Sequence, residues 1–220
     1  MKITCISDTH NKHNQIPSKY LSGGDCIIHA GDVSGRGTHA EIEAFLEWYN
    51  ELPYTHKILI SGNHDFFFEN ASEPIIKSTL AKYPNITYLN DSGVEIEGLK
   101  IWGSPVQPWF YNWAFNRRGT DICKHWDLIP LDTDILITHG PAKGYLDMTI
   151  RGDVTGCPYL LEKISELKNL KLFVHGHIHE AYGRVDFADG GTFLNASVLD
   201  IRYVMRNLPH EIEIVKGDEK

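Results

Sequence analysis

Seven side chains with nitrogen or oxygen donor atoms stand in five short polar clusters, "DTH", "GD", "GNHD", "HG" and "GHIH". They are Asp8, His10, Asp32, Asn63, His139, His177 and His179. Two clusters carry donors two residues apart, Asp8 with His10 and His177 with His179. On extended backbone such pairs point to the same side, whereas on a helix they would diverge by about 200°. Each pair can therefore chelate a single metal site.

The number and type of these donors predict the kind of site. Seven donors exceed the three or four that one catalytic zinc takes, and none is a thiolate. If one carboxylate bridges, the set suits two divalent metal ions roughly 3.5–4 Å apart. Mixed histidine, aspartate and asparagine donors suit Mn²⁺, Fe, Zn²⁺, Co²⁺ or Ni²⁺, and we predict Mn²⁺ as the best activator.

Five short apolar runs precede these clusters and must position them. The runs are "KITCIS", "DCIIHA", "KILI", "DILIT" and "KLFVH". Each is too short for a helix and rich in branched residues, so each predicts a buried strand. Taken singly, "DTH" can cap a helix, "GD" can form a turn, and a histidine near a strand end is often a core residue. Because all five clusters stand at carboxyl ends of strands, where open α/β sheets bind ligands, we expect their donors to converge.

Amphipathic helical patterns alternate with the strand runs. "HAEIEAFLEWYNEL" spaces Ile42, Phe45, Leu46 and Tyr49 at helical intervals, and "EPIIKSTLAKY" and "CPYLLEKISELKNL" repeat the pattern. This alternation indicates an α/β fold. The segments "NITYLN", "VEIEGLKIWGS", "RVDF", "GTFLNAS" and "EIEIV" predict additional antiparallel strands. We expect a single domain over residues 1–220, with two mixed sheets packed face to face and helices outside.

Composition and charge restrict the partners. The chain has 220 residues, is 42% hydrophobic, and carries a formal net charge of −8 without a cluster of Lys and Arg. A protein that holds long nucleic acid by neutralising phosphates would need such a cluster, whereas small anionic substrates remain open. The N-terminus turns polar after seven residues, and no apolar run approaches the roughly 20 residues of a membrane span. These features predict a cytoplasmic protein without a membrane partner.

The cysteines and several further histidines predict structural roles. Four cysteines lack C-x-x-C spacing and are expected to be reduced thiols in the core. His29 and His175 lie inside strand runs, and we expect both to be buried. His13 and His125 are expected at the surface or at helix caps.

In order and content, the five clusters resemble the signature blocks of the calcineurin-like metallophosphoesterase superfamily. "GSPVQPWFYNWAFNRRG", "LITHGP", "GHIHEAYG" and "NASV" are also similar to segments of the metallophosphoesterase-domain-containing group, which includes metal-dependent phosphodiesterases acting on small substrates. The resemblance implies a four-layer α/β/β/α sandwich of two mixed β-sheets flanked by helices, with a two-metal site. It assigns Asp8, His10, Asp32 and His179 to the first metal, and Asp32, Asn63, His139 and His177 to the second.

The same resemblance implies a catalytic role for "NHD". Asn63 would ligate through its amide oxygen, while His64 would stay free to meet the substrate and protonate the leaving oxygen. Asp65 would hydrogen-bond His64, fix its orientation and raise its pKa. A hydroxide that bridges the two metals would be the nucleophile, and the metals would stabilise the charge of the transition state.

Substrate contacts are expected from two further places. The loop of residues 105–118 carries Trp109 and Trp113, which can stack a base, and Arg117, or Arg118 beside it, can meet a second phosphate or a ribose. The alternative is a packed loop that covers a sheet edge. Arg36 follows a predicted ligand in "GDVSGRG", and can either contact phosphate or remain exposed to solvent.

The function that the sequence predicts is hydrolysis of phosphoesters. We expect a dinuclear-metal-dependent phosphodiesterase for small substrates such as cyclic nucleotides. The alternatives within the same chemistry are a phosphomonoesterase and a Ser/Thr phosphoprotein phosphatase. From a different class, the alternative is a non-catalytic metal-binding scaffold.

Overall fold

Each of the five apolar runs forms a strand in the computed structural model, which describes residues 1–188 and 190–215. The strands are β1 (Lys2–Ile6), β2 (Gly24–Ala30), β3 (Tyr54–Ile60), β4 (Ile86–Tyr88), β5 (Ser92–Ile96), β6 (Leu99–Ser104), β7 (Gln107–Pro108), β8 (Asn116–Arg117), β9 (Ile135–Thr138), β10 (Leu172–His175), β11 (Gly183–Asp186), β12 (Thr192–Asn195) and β13 (His210–Glu213). The α-helices are α1 (His39–Glu51), α2 (Phe66–Asn70), α3 (Glu73–Leu80), α4 (Cys123–Trp126) and α5 (Pro158–Glu166). Short 3-10 helices cover His13–Gln15, Ser18–Tyr20, Gly119–Ile122 and His179–Ala181. Within these residues, no helix combines the length and the apolar character that crossing a membrane requires.

These strands build two mixed sheets. The first has the order β13-β1-β2-β3-β4, with β1 to β4 parallel and β13 antiparallel to β1. The second has the order β11-β12-β10-β9-β6-β5, with parallel strands in the centre and antiparallel pairing of β11 and β5 at the edges. A short separate pair joins β7 to β8 within the loop of residues 105–118. The prediction of two mixed sheets is confirmed.

The prediction of additional antiparallel strands is confirmed for β5, β11 and β13. It is wrong for β4, which pairs parallel with β3. The helices α2 and α3 lie between β3 and β4, and a connection of this length allows a parallel neighbour. β12 is antiparallel to β11 but parallel to its other neighbour, β10.

Successive side chains of a strand point to opposite faces of its sheet and therefore belong to different parts of the hydrophobic core. In β2, Cys26 and Ile28 belong to the core between the two sheets, whereas Ile27 packs with α1 outside the first sheet. In β10, Val174 belongs to the inner core, and Phe173 packs with α4 and α5 outside the second sheet. Because successive strand residues point to opposite faces, each sheet buries both of its faces. The predicted four-layer α/β/β/α sandwich is confirmed.

Helix α1 is attached to two of the strands that lead into the polar clusters. It begins after Thr38, whose hydroxyl accepts a hydrogen bond from the N–H of Glu41, while the Glu41 carboxylate accepts from the N–H of Thr38. At the other end of the helix, the hydroxyl of Tyr49 lies 3.0 Å from the carbonyl oxygen of Ile27 and 2.9 Å from that of Ile58. The buried hydroxyl therefore joins α1 to both β2 and β3.

Several polar residues lie in the core. The four cysteines are free thiols, and Cys5, Cys26 and Cys157 are buried as predicted, whereas Cys123 is only partly buried. His29 and His175 are buried as predicted. The prediction for His13 is wrong, since this residue is buried. Its ring lies 5.5 Å from that of Phe45 and 4.8 Å from that of Trp48, and α1 thus provides an aromatic pocket for it.

Candidate metal centre

The loops at the carboxyl ends of five strands carry the predicted donors to one edge of the sandwich. These are Asp8 and His10 after β1, Asp32 after β2, Asn63 after β3, His139 after β9, and His177 and His179 after β10. The strands β1, β2 and β3 are neighbours in the first sheet, and β9 and β10 are neighbours in the second. Because the two sheets are stacked, the two groups of loops meet.

Two clusters of donor atoms result. The first contains Asp8, His10 and His179, and the second Asp32, His139 and His177, and within each cluster the donor atoms lie within 4.8 Å of one another. Asn63 joins the second cluster through its Oδ1, which lies 3.0 Å from Nε2 of His139. The Oδ2 atom of Asp32 lies 3.6 Å from Nε2 of His10 and 3.3 Å from Nε2 of His139, so this carboxylate stands between the clusters. The structure thus brings all seven predicted donors together.

The backbone is strained at four of the donors. Asp8, His10, Asp32 and His177 have φ values of 56°, 40°, 56° and 70°. Left-handed backbone is uncommon for residues other than glycine, costs roughly 1–3 kcal/mol each, and is concentrated at functional sites. The N–H of Asp8 donates to the carbonyl oxygen of Gly31 at 2.9 Å, and the N–H of His10 donates to the carbonyl oxygen of Asp32 at 3.1 Å. These hydrogen bonds join the loops after β1 and β2 and hold them in this conformation.

Hydrogen bonds to carbonyl oxygens orient three of the histidines. Their Nδ1 atoms lie 3.1 Å from Ser34 O in His10, 2.9 Å from Ala30 O in His139, and 3.1 Å from Asp200 O in His179. A carbonyl oxygen only accepts, so in the neutral ring Nδ1 carries the proton and Nε2 keeps a lone pair. The Nε2 atoms of His10 and His179 lie 3.4 Å apart. Two lone pairs at this distance repel each other unless a cation or a proton lies between them, and the donor set therefore fits a metal centre.

Pairing between carboxylates and histidines sets the charge of the site. Burial opposes ionisation of Asp8, but the hydrogen bond and the charge of His179 outweigh it and hold the pKa of Asp8 well below its usual range. Burial also opposes protonation of His139, yet the charge and the hydrogen bond of Asp32 raise the pKa of His139 to about 9. Burial likewise opposes protonation of His179, but its hydrogen bond to Asp8 and the negative charge of Asp8 raise the pKa of His179 to about 9. Metals that bind here would replace protons on these two rings.

Ser197 supports the first cluster and was not among the predicted residues. Its hydroxyl donates to Oδ2 of Asp8 at 2.7 Å, and the N–H of His177 donates to the same oxygen at 3.0 Å. The N–H of Ser197 in turn donates to Oδ1 of Asn195 at 3.1 Å. The signal in the sequence is the polar segment "NAS" at the carboxyl end of β12, where a hydroxyl can reach the same edge of the sandwich.

Two glycines allow the loops to approach the carboxylates. A Cβ atom on Gly62 would lie 2.2 Å from Oδ1 of Asp32, and one on Gly176 would lie 2.1 Å from Oδ2 of Asp8. Both distances are far below van der Waals contact. The absence of a side chain at these two positions is therefore a steric requirement of the site.

His64 lies at the edge of both clusters. Its Nδ1 lies 2.9 Å from the carbonyl oxygen of Gly35, and its N–H donates to Oδ1 of Asp32 at 2.8 Å. The ring centroid is 4.6 Å from that of His10 and 4.3 Å from that of Trp113. A ring nitrogen of His64 lies within 4.8 Å of donor atoms of His10 and Asp32, so His64 reaches the space of the predicted ligands.

The predicted contact between Asp65 and His64 is wrong. The carboxylate of Asp65 accepts hydrogen bonds from the hydroxyl of Ser34 (2.7 Å) and from the N–H groups of Val33 (3.2 Å), Ser34 (3.0 Å) and Gly62 (2.8 Å). No hydrogen bond joins it to His64 in the part of the chain that the structure describes. Burial raises the pKa of Asp65 to about 6, while these donors favour the ionised form. Asp65 thus ties the loop after β2 to the loop after β3.

A cavity of about 350 Å³ opens over the clusters. One wall is aromatic and consists of Phe110 and Trp113, with the Phe110 ring 4.9 Å from that of His177. Other lining residues are Ile150, Glu180, Ile201 and Tyr203. These four were not predicted, because they lie in loops or in a short 3-10 helix, which carry no periodic signal.

Of the four predicted substrate contacts, Trp113 lines the cavity and the other three do not. Pairing of β7 with β8 places Trp109 beside Arg117, and the N–H of Trp109 donates to the carbonyl oxygen of Arg117 at 2.9 Å. Both residues line a separate groove, where the guanidinium of Arg118 lies 3.7 Å from the centroid of the Trp109 ring. Arg36 is exposed and lies outside the cavity wall. The structure thus gives no support to these three contacts.

Comparison with known proteins agrees with this geometry. The sequence model described as Calcineurin-like phosphoesterase matches residues 1–181, which contain all seven predicted donors. The chain belongs to the calcineurin-like phosphoesterase family. Metallophosphoesterase domain-containing protein 1 of Homo sapiens and of Mus musculus are each 39% identical to it, over 97% of this chain and 71% of the relative. The crystal structure of TT1561 from Thermus thermophilus shares the fold, with a TM-score of 0.59 and 14% identity over 96% of this chain and 97% of that one.

Membership in the calcineurin-like phosphoesterase family confirms the predicted class of enzyme. The chain is a metal-dependent phosphoester hydrolase. Members of this family typically bind a dinuclear metal centre. The two donor clusters, with the Asp32 carboxylate between them, agree with such a centre.

Proposed function

We propose that this chain is a phosphodiesterase for small substrates such as cyclic nucleotides. The observation that supports a diester is the composition of the cavity wall. Among the described residues that line it, none is Lys or Arg, whereas Glu180 contributes a carboxylate. A phosphomonoester carries up to two negative charges and a diester carries one, so a diester needs less neutralisation from the wall. Phe110 and Trp113 also offer an apolar surface for the second ester substituent.

The metals would occupy the two donor clusters. Asp8, His10, Asp32 and His179 would hold the first, and Asp32, Asn63, His139 and His177 the second. When bound, such ions would supply Lewis-acid stabilisation of the phosphate charge and would lower the pKa of water toward neutrality.

The chain itself supplies the acid. With both ring nitrogens protonated, His64 would keep its Nδ1–H on the carbonyl of Gly35 and give the Nε2 proton to the leaving oxygen as the P–O bond breaks. The hydrogen bond from the N–H of His64 to Asp32 fixes this acid relative to the carboxylate between the clusters. Such fixed placement reduces the entropic cost of the proton transfer.

Turnover of matched substrates tests the proposal. The metal-loaded protein is assayed on bis-p-nitrophenyl phosphate, p-nitrophenyl phosphate and cyclic nucleotides, and the diesters are expected to give the higher kcat/KM. Turnover of the monoester without the diester would contradict the proposal and favour a phosphomonoesterase or a phosphoprotein phosphatase. A protein that binds two metal equivalents but hydrolyses no phosphoester at all would favour a metal-binding scaffold.

We further propose Mn²⁺ as the best activator. The predicted donors include four histidine nitrogens, which suit borderline metals better than Mg²⁺, an ion that prefers oxygen ligands. Chelation should abolish activity, and Mn²⁺ should restore it more fully than Mg²⁺, Zn²⁺, Co²⁺ or Ni²⁺ at equal concentration. Full recovery with Mg²⁺ above all others would contradict this assignment.

A further inference from the structure

The side chain of Arg117 belongs to a chain of polar contacts at the base of the loop of residues 105–118, which we call the aromatic loop. Its Nε donates to Nε2 of His125 at 3.0 Å, and its Nη1 lies 3.6 Å from Oε1 of Glu69. On the other side, Nδ1 of His125 lies 2.7 Å from Oδ2 of Asp91. The contacts therefore run from Asp91 through His125 and Arg117 to Glu69.

The direction of these hydrogen bonds follows from the chemistry of arginine. A guanidinium only donates, so Nε2 of His125 must accept and Nδ1 must carry the proton that is donated to Asp91. The second carboxylate oxygen of Asp91 accepts from the hydroxyl of Ser104 at 2.6 Å. The side chains of His125 and Asp91 are 14% and 19% exposed, so solvent screens this pair less than a pair on the open surface. His125, predicted at the surface or at a helix cap, thus has a specific connecting role.

Glu69 joins this chain of contacts to the segment that holds the predicted acid. It lies on α2, which begins two residues after His64. Its Oε1 accepts a hydrogen bond from the N–H of Phe115 at 2.8 Å. The N–H of Ala114 donates to the carbonyl oxygen of Asn63 at 3.1 Å. The aromatic loop is therefore attached on one side to Asn63 and α2, and on the other to His125.

The anchored residues adjoin the two rings of the cavity wall. Trp113 directly precedes Ala114, and its ring lies 4.3 Å from that of His64. The carbonyl oxygen of Phe110 accepts from Nδ2 of Asn116 at 2.8 Å, and Asn116 precedes Arg117 on β8. A shift of Arg117 would therefore move both ends of the segment that carries Phe110 and Trp113.

We propose that Glu69, Asp91, Arg117 and His125 are positioning residues that hold Phe110 and Trp113 as a preformed wall against the substrate. Arg117 acts through the aromatic loop and does not touch the phosphoester. The inference rests on the proposed diesterase function, because the wall receives the second ester substituent. A wall that is already ordered lowers the entropic cost of binding, so its loss should raise KM more than it lowers kcat.

Single and double variants test this role. His125→Phe and Arg117→Leu should each raise KM for bis-p-nitrophenyl phosphate by about tenfold, with kcat changed by less than about threefold. Because both act on one chain of contacts, the double variant should cost little more than either single one. His125→Gln, whose amide can both accept from Arg117 and donate to Asp91, should recover part of the loss. Arg184→Ala removes an equal charge from an exposed residue on β11, outside the aromatic loop, and should match the wild type.

The contrary outcomes are distinct. If Arg117 contacts the phosphoester directly, Arg117→Leu lowers activity while His125→Phe leaves it at the wild-type level, and the proposal is wrong. Additive losses in the double variant would also contradict it. Hydrogen exchange of the amides of residues 109–117 provides a readout that does not depend on diester turnover. Faster exchange in His125→Phe than in Arg184→Ala supports the anchoring even if the wild type hydrolyses no diester, and unchanged exchange overturns it.

Discussion

The Nδ1 atom of His64 lies 2.9 Å from the carbonyl oxygen of Gly35. This contact reserves Nδ1 for the protein, so that Nε2 is the only ring nitrogen left for the cavity. The same residue has a ring nitrogen near the donor atoms of His10 and Asp32, which is also compatible with a ligand. The two roles, acid and ligand, predict different behaviour when the ring is removed.

If His64 is an acid, His64→Ala should retain its metals and lose activity according to the leaving group. A p-nitrophenolate departs readily without a proton, whereas a ribose alkoxide hardly departs at all. Rates on cyclic nucleotides should therefore fall by roughly 10²–10⁴, and rates on p-nitrophenyl esters by distinctly less. Steady-state kinetics on both substrate types, with elemental analysis of the protein, measure the two effects.

His139→Ala is the matched control, because it removes an imidazole from a predicted ligand. This variant should lose metal and both activities together. Loss of metal from His64→Ala would assign that residue as a ligand. Equal losses on both substrate types with intact metals would leave His64 as a phosphate-binding residue.

The Asp65→Asn variant tests whether Asp65 only holds the loops after β2 and β3 together or also acts on His64. The amide lacks one of the two acceptor oxygens that face Val33, Ser34 and Gly62, and its NH₂ group would meet donors. We expect the free energy of unfolding to fall by roughly 2–3 kcal/mol. Denaturant unfolding measures this change, while the ratio of rates on the two leaving groups should stay at the wild-type value. The leaving-group pattern of His64→Ala in this variant would show that Asp65 acts through His64 after all.

The raised pKa values of His139 and His179, both about 9, predict that metal binding releases protons. Near neutral pH both rings of the metal-free protein are protonated, so filling both clusters should release about two protons from them. Affinity for Mn²⁺ should rise with pH until about pH 9. Calorimetric titration in buffers of different ionisation enthalpy counts the protons, and metal binding without proton release would contradict the assignment.

The same pKa values determine how the stability of the metal-free protein depends on pH. Both lie above the ordinary histidine value of 6.5, so the charged form is favoured in the folded state. The stability that these pairs contribute is fully present below about pH 6.5 and is lost as the pH rises through about 9. The Tm of the metal-free protein should therefore fall between these pH values. His139→Gln should reduce this fall, since it removes one of the two titrating rings.

The donors could be predicted from sequence because each stands at the end of a strand run. Strand direction and sheet order alone then place these donors at one edge of the sandwich. Little information about the conformation of the loops is needed to predict this. Asp65 could not be predicted in this way, since residues adjacent on a turn point in different directions and three of its four hydrogen-bond donors lie in the loop after β2. Arg117 depends on His125 and Glu69, which belong to separate helices, and no local pattern reports such contacts.

Gly176→Ala should disturb the first cluster without removing any donor. The added Cβ would lie 2.1 Å from Oδ2 of Asp8 and 2.1 Å from Oγ of Ser7, both of which are buried. The loop after β10 would have to move, and this loop carries His177 and His179. We expect loss of at least one metal equivalent and of most activity, measured by elemental analysis and diester turnover.

Gly24→Ala is the matched control for the same substitution in a strand. Its Cβ would meet the ring of Tyr54 at 3.6 Å, which is ordinary contact, and metal content and activity should stay at wild-type values. If Gly176→Ala also binds two metal equivalents with wild-type affinity, the close approach at Asp8 is not required for the centre. If the variant loses metal while Gly24→Ala does not, the cause is the distance between the Gly176 backbone and the Asp8 carboxylate, because every predicted ligand is still present.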